Sequence, residues 1–168
     1  MTTSIAKSRS ILMILALAAT LAASGCSGNK PKSDESVPSA DNAIDNSATG
    51  DSDSGKAMGL QTIHFPYDAF AIDAEAKGQM KNNAQIMKDH PSLKIQVEGH
   101  CDQRGGIQYN VALGEKRANA TRKYLEDMGI SGDRITTVSM GKEHLLDQGT
   151  TEEAYAKNRR ANFVVTTK

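Results

Sequence analysis

The chain has 168 residues, 38% of them apolar, and its twenty acidic and twenty basic residues cancel to a formal net charge of zero. With no long basic run, it lacks the electrostatic footprint of a nucleic-acid binder. Its two cysteines, Cys26 and Cys101, cannot supply a disulfide framework, so the fold has to rest on a hydrophobic core.

At the N-terminus, Lys7 and Arg9 lead into an apolar run from Ile11 to Leu21, followed by Ala22, Ala23, Ser24, Gly25 and Cys26. The run is shorter than the roughly 20 residues that cross a bilayer, and small residues follow it directly, as in a cleavable secretion signal. This ending resembles the lipobox of bacterial lipoproteins, with Ala23 where leucine is usual. The resemblance implies a signal over residues 1–25 and acylation at Cys26, which would leave Cys101 without a partner. Ser27 follows in place of the aspartate that retains such proteins in the inner membrane, which favours the outer membrane.

From residue 26 to 58 the chain is dominated by Ser, Asp, Asn, Gly and Ala, with Pro31 and Pro38, and nearly lacks large apolar side chains. Such a segment reads as a disordered linker. As a flexible coil of about 30 residues it spans roughly 30 Å, and stretched it reaches about 100 Å.

Residues 59–168 have the size of one domain. A first strand is predicted over Leu60 to Phe65. Asp73 caps a helix to about Asp89 with Ala76, Met80, Ala84 and Met87 on one stripe, and His90 and Pro91 end it. Leu93 to Glu98 alternates as a half-buried strand. A second helix is predicted from Ile107 to Met128, stopped by Gly129, and another strand from Arg134 to Ser139. Thr150 and Glu153 have capping-box spacing for a short third helix, ahead of a last strand from Ala161 to Thr166. Strands alternating with helices imply parallel pairing through crossovers and helices packed on one sheet, a small α/β sandwich.

On the wheel of the second helix, Val111, Leu113, Gly114, Ala118, Ala120, Thr121, Tyr124 and Leu125 share one arc, and Asn110 and Arg117 fall inside it. An inward arginine cannot neutralise itself by losing a proton, so it needs a carboxylate or a ligand. Asp102, in the loop between the second strand and this helix, is the natural neighbour. Two readings stay open: an internal salt bridge from Asp102 to Arg117 that closes the loop, or a pair that a zwitterionic ligand bridges.

Glu98-Gly99-His100-Cys101-Asp102-Gln103-Arg104-Gly105, Tyr109 to Ala118, Ile135 to Gly141 and Lys157-Asn158-Arg159-Arg160 stand in the order found in OmpA-like peptidoglycan-binding domains, and the chain resembles that family from about residue 60 to its end. The resemblance implies an α+β domain, βαβαβ(αβ), with its helices on one mixed sheet. It further implies that Asp102 and Arg117 bind meso-diaminopimelate in the peptidoglycan stem. The turn at Tyr67, Asp68 and Ala69 would add contacts, and Asn110 and Leu113 would line the pocket. Phe65-Pro66-Tyr67-Asp68 replaces the family's usual Phe-x-Phe-Asp. Also implied are an outer-membrane lipoprotein with its domain in the periplasm and a role in the Tol system, with TolB as a protein partner. The alternative is a wall anchor of a secretion or motility complex without Tol partners.

Arg159 and Arg160 read as salt-bridging residues that lock the last helix and strand to the sheet. His100 and Cys101 invite an enzyme or metal reading. Adjacent strand residues face opposite sides, however, no His or Cys pair has zinc spacing, and no nucleophile signature is present. No cofactor, metal or catalytic activity is expected.

Overall fold

The computed structural model describes residues 50–168. The signal, Cys26 and the linker up to residue 49 lie outside the described residues.

Strand β1 is Ile63–His64, α1 is Ala74–Asp89, β2 is Lys94–His100, α2 is Ile107–Asp127, β3 is Ile135–Gly141, α3 is Glu152–Asn158 and β4 is Arg160–Thr167. Asp73 starts α1 by accepting from Ala76 N–H at 2.9 Å, which satisfies one orphan donor of the first turn. The stripe Ala76, Met80, Ala84 and Met87 is buried, and so is Asn83. Asn83 is tolerated there because its side chain both accepts from Gln61 N–H and donates to Gln61 C=O, each at 2.8 Å. At the other end of α1, Arg134 donates to the carbonyls of Met87 and His90 at 2.8 Å and of Leu93 at 3.0 Å, occupying acceptors that the helix leaves open. Gly129, at φ +91°, lets the chain leave α2.

The sheet order is β1-β4-β2-β3, with β2 and β3 parallel and β4 antiparallel to both β1 and β2. The expected parallel pairing therefore holds for one neighbour pair only. The reason is helix length. The 16 residues of α1 and the 21 of α2 span about 24 and 32 Å, enough to carry the chain back along a strand of about 25 Å. The seven residues of α3 span only about 10 Å, so the chain re-enters the sheet from the end where β3 left it. The strand it forms slots between β1 and β2.

Three further expectations change. The first strand shrinks to two residues, because β1 pairs only through Ile63 and His64 with Ala161 and Arg160. The cap of α3 is Thr151, whose side chain accepts from Ala154 N–H at 3.3 Å, one residue beyond the predicted Thr150. The polar linker also stops short of residue 58. Asp51 bridges to Val164, Ser52 N–H donates to Phe163 C=O at 2.9 Å, Asp53 pairs with Arg160 at 2.7 Å, and Ala57 is fully buried. Small polar residues near 50–54 join the fold because β4 beyond β1 offers an unpaired edge, a long-range opportunity that composition does not reveal.

The core lies between α1, α2 and one sheet face, around Met80, Met87, Ile95, Val97, Leu125, Ile135, Phe163 and Val165. At its upper end β2 and α2 meet backbone to backbone. A Cβ on Gly99 would fall 1.8 Å from Gly114 C=O, and one on Gly114 would fall 2.4 Å from Ser139 Oγ. This approach places the loop after β2 against the start of α2. Gly99→Ala is expected to destabilise the domain by about 3 kcal/mol, the upper end of overpacking. Gly78→Ala, at an exposed position of α1 open around its Cβ, should stabilise it by roughly 0.5–1 kcal/mol. Denaturant midpoints check both.

Candidate ligand-binding site

Above the close approach of Gly99 and Gly114, three loops converge: the turn after β1, the loop from β2 to α2, and the junction of α3 with β4. They enclose a cavity of about 120 Å³ lined by Tyr67, Asp68, Cys101, Asp102, Arg104, Gly105, Tyr109, Asn110, Leu113, Arg117 and Arg159. Of the residues singled out in the sequence, Tyr67, Asp68, Asp102, Asn110, Leu113 and Arg117 all reach this cavity. Ala69 does not line it and contributes its carbonyl to Arg117 instead.

Arg117 is fully buried. Its Nε donates to Ala69 C=O at 2.8 Å, Nη1 to His100 C=O at 2.8 Å and Nη2 to Pro66 C=O at 3.2 Å. Of the two readings of Arg117, the internal salt bridge to Asp102 is not formed, and three carbonyls take its place. They come from the turn after β1 and from the end of β2, so one side chain of α2 ties two loops together. Burial lowers its basicity, but a guanidinium has no accessible neutral form and stays charged. Three of its five N–H groups go to these carbonyls, and the Cys101 side chain is a further partner, so at most one N–H is left for a ligand.

Arg117 also sets the turn itself. Ala69 N–H donates to Pro66 C=O at 3.3 Å, and Asp68 sits at φ +51°, a left-handed conformation that Asp tolerates better than most residues. The turn exposes Tyr67 and aims Asp68 at Tyr109, whose hydroxyl donates to Asp68 Oδ1.

Asp102 is buried and held by other arginines. Arg104 makes a bidentate contact, Nη2 to Oδ2 at 2.7 Å and Nε to Oδ1 at 3.2 Å, and its N–H also reaches Oδ1 at 3.1 Å. Arg159 Nη1 lies 3.4 Å from Asp102 Oδ2 and 2.8 Å from Glu152 Oε1. Burial disfavours the Asp102 anion, but Arg104, through its hydrogen bonds and charge, and Arg159 outweigh it and hold the carboxyl below the ordinary carboxylate range. The guanidinium of Arg104 lies between the rings of Tyr67 and Tyr155, 4.2 and 4.1 Å from their centroids.

Asn110, buried in the first turns of α2, donates to Arg104 C=O at 2.7 Å and Gly106 C=O at 3.2 Å, shaping the loop rather than presenting a free amide. Cys101 donates to Asn110 C=O at 3.3 Å, and burial pushes its thiol up, so it stays protonated and unreactive. Arg159 does lock the last elements, exchanging hydrogen bonds with Phe65 at 2.9 and 3.0 Å, and it lines the cavity as well. Arg160 pairs with Asp53 away from this site. The reading of the sequence passed over Arg104, Tyr109 and Tyr155. The available signal was an arginine two residues after Asp102 in a glycine-bounded loop, where it folds back onto that carboxylate.

Two consequences are measurable. Arg117→Lys replaces a rigid fork with a point charge that cannot reach three carbonyls, and should cost about 2–4 kcal/mol in thermal or denaturant unfolding. Because the folded Asp102 carboxyl titrates below its unfolded value of about 3.9, its contribution is complete above that value and is lost as pH falls through the folded one. Asp102→Asn should therefore lower stability at neutral pH by about 1–3 kcal/mol and flatten its decline below about pH 4.

The sequence pattern of the OmpA family matches residues 64–159. The peptidoglycan-associated lipoprotein of Rhizobium meliloti is 35% identical over 154 residues, covering 91% of this chain and 86% of the relative. That of Buchnera aphidicola is 40% identical over 103 residues, covering 61% of this chain and only 60% of the relative's length. The crystal structure of the peptidoglycan-associated lipoprotein from Burkholderia pseudomallei superposes with a TM-score of 0.62 at 34% identity, over 65% of this chain and 93% of that one. The matched segment holds both crossover helices and every loop that encloses the cavity, and on this ground the chain belongs to the OmpA family.

Proposed function

We propose that the domain binds peptidoglycan noncovalently through the meso-diaminopimelate of its stem peptide. The observation that carries this reading is the meeting of an ionised Asp102 and the Arg117 guanidinium in one small cavity. A ligand ammonium would share or take over the carboxylate that Arg104 holds, and a ligand carboxylate would pair with the charge of Arg117. Exposed Tyr67 and Tyr109 flank the opening. Leu113 supplies an apolar wall to the ligand's aliphatic stem.

On this reading the domain acts by binding. Cys101 lines the cavity, whereas the side chain of His100 lines a different one, so the two form no nucleophile and base pair. Among the described residues no three His, Cys, Asp or Glu side chains are grouped to hold a metal, and no helix is long and apolar enough to cross a membrane.

Acyl chains on Cys26 would hold the outer membrane while the periplasmic domain holds the wall, in a Tol-Pal system with TolB as partner. Attachment at both ends makes a modest affinity sufficient through effective concentration. The kinship with proteins named peptidoglycan-associated lipoproteins at 35–40% identity supports this placement.

The test is sedimentation of residues 50–168 with diaminopimelate-type peptidoglycan. Asp102→Asn is the decisive variant, because it keeps the shape of the side chain while removing the charge. It should weaken pelleting by about tenfold or more, equivalent to about 1.4 kcal/mol, and undiminished pelleting would reduce Asp102 to a loop lock. Arg117→Ala is a poor substitute, since it strips three carbonyls of their donor. In cells, Cys26→Ser should move the protein from the membrane to the soluble fraction.

A further inference from the structure

The face of the sheet turned away from the helices carries a second cavity. Gly99 touches α2, so by strand alternation Glu98 and His100 point to the opposite face. Asn162 stands directly across from Glu98 on β4, with Arg160 two residues along, and Met140 lies on the same side of β3. The segment at Asp51 and Asp53 and the loop at His144 and Leu146 wall this region into a cavity of about 550 Å³, within the usual size of ligand pockets.

Its chemistry is unbalanced. Asp53 is satisfied by Arg160 at 2.7 Å and Thr62 at 2.8 Å. Glu98 Oε2 accepts from Asn162 Nδ2 at 3.1 Å, while among the described residues Oε1 has no donor and Asp51 uses only Oδ1, toward Ser54 N–H at 2.9 Å. Three carboxylates thus face one guanidinium. His100 is 2% exposed, and neither ring nitrogen is hydrogen-bonded, although Nε2 lies 3.4 Å from Glu98 Oε2. The imidazole thus has one distant carboxylate beside Nε2, while its buried Nδ1 has no hydrogen-bond partner among the described residues, which marks a place where a donor or acceptor is missing. Burial opposes the charge on Glu98, but the His100 and Asn162 side chains beside it prevail and keep the carboxyl below its ordinary range. Met140 and Leu146 add apolar walls, and Leu146 is 56% exposed.

We propose that this face is a second binding site, one that receives a lysine side chain of a partner protein, its ammonium at Glu98 beside His100, its stem along Met140 and Leu146, and Asp51 adding negative charge at the rim. An ammonium supplies a donor to the open carboxylate oxygen of Glu98 and offsets the excess negative charge.

The experiment is an NMR titration of the full chain with acetyl-leucyl-lysyl-leucinamide, following the Met140 methyl and His100 imidazole signals, with the norleucyl peptide as control. Saturable shifts with the lysyl peptide alone, weakened about tenfold by Glu98→Gln, are expected. Peptidoglycan pelleting by that variant should be unchanged, which separates this site from the wall-binding cavity. Asp51→Asn gives the same reading from the loop side should Glu98→Gln unfold. Equal shifts with both peptides, no shift at millimolar peptide, or an affinity indifferent to both variants would overturn the proposal. Shifts that depend on protein concentration without peptide would also overturn it, assigning the face to a second copy of the chain.

Discussion

The buried guanidinium of Arg117 is the interaction on which the ligand cavity depends. A permanent charge inside a core has to be compensated by fixed groups, and here the compensation is three main-chain carbonyls drawn from two separate loops. The carbonyl of His100, at the buried end of β2, gains a donor in turn. The requirement is mutual, so α2, the turn after β1 and the end of β2 keep one relative geometry. A lysine, with donors about a single point, could not hold acceptors spread around a plane.

The same device recurs at other junctions. Arg134 fastens the C-terminal end of α1 to the approach to β2, and Arg159 fastens the start of β4 to Phe65 beside β1. Arg134 acts on backbone alone, whereas Arg159 joins a backbone carbonyl to the carboxylates of Asp102 and Glu152. Asp102 belongs to this scheme as well. Its oxygens are filled by Arg104, itself stacked between two tyrosines, so the empty cavity has a ready-made anion and no unpaired charge. Exchange of one cation for another at such a carboxylate conserves charge, which makes ligand entry less costly than exposing a bare buried anion.

Backbone contact between Gly99 and Gly114 complements the arginine clamp. Removing both side chains there lets the strand end and the helix start approach closely enough for Arg117 to reach the carbonyl of His100. The packing, the clamp and the loop therefore form one unit. Alternation along β2 divides its chemistry, with Gly99 and Cys101 toward the helix side and Glu98 and His100 toward the open face.

Much was legible in the amino-acid sequence because it depends on local periodicity and local chemistry. The stripe of α1, its Asp73 cap, the inward arc of α2 and the stop at Gly129 follow from 3.6-residue spacing and from the properties of single residues. That Arg117 points inward also follows from the wheel. What Arg117 meets does not follow, since carbonyls of Pro66, Ala69 and His100 lie 17 to 51 positions away in the chain. Likewise the antiparallel insertion of β4, the recruitment of residues 50–54 to the sheet, and the stacking of Arg104 between Tyr67 and Tyr155 are contacts between distant segments. The sequence by itself determined the buried stripe of α1 and the inward direction of Arg117, because both follow from helical spacing. Only the tertiary structure decided which charge faces which acceptor, because backbone carbonyls are the same at every residue and become specific partners only when the fold brings them within reach.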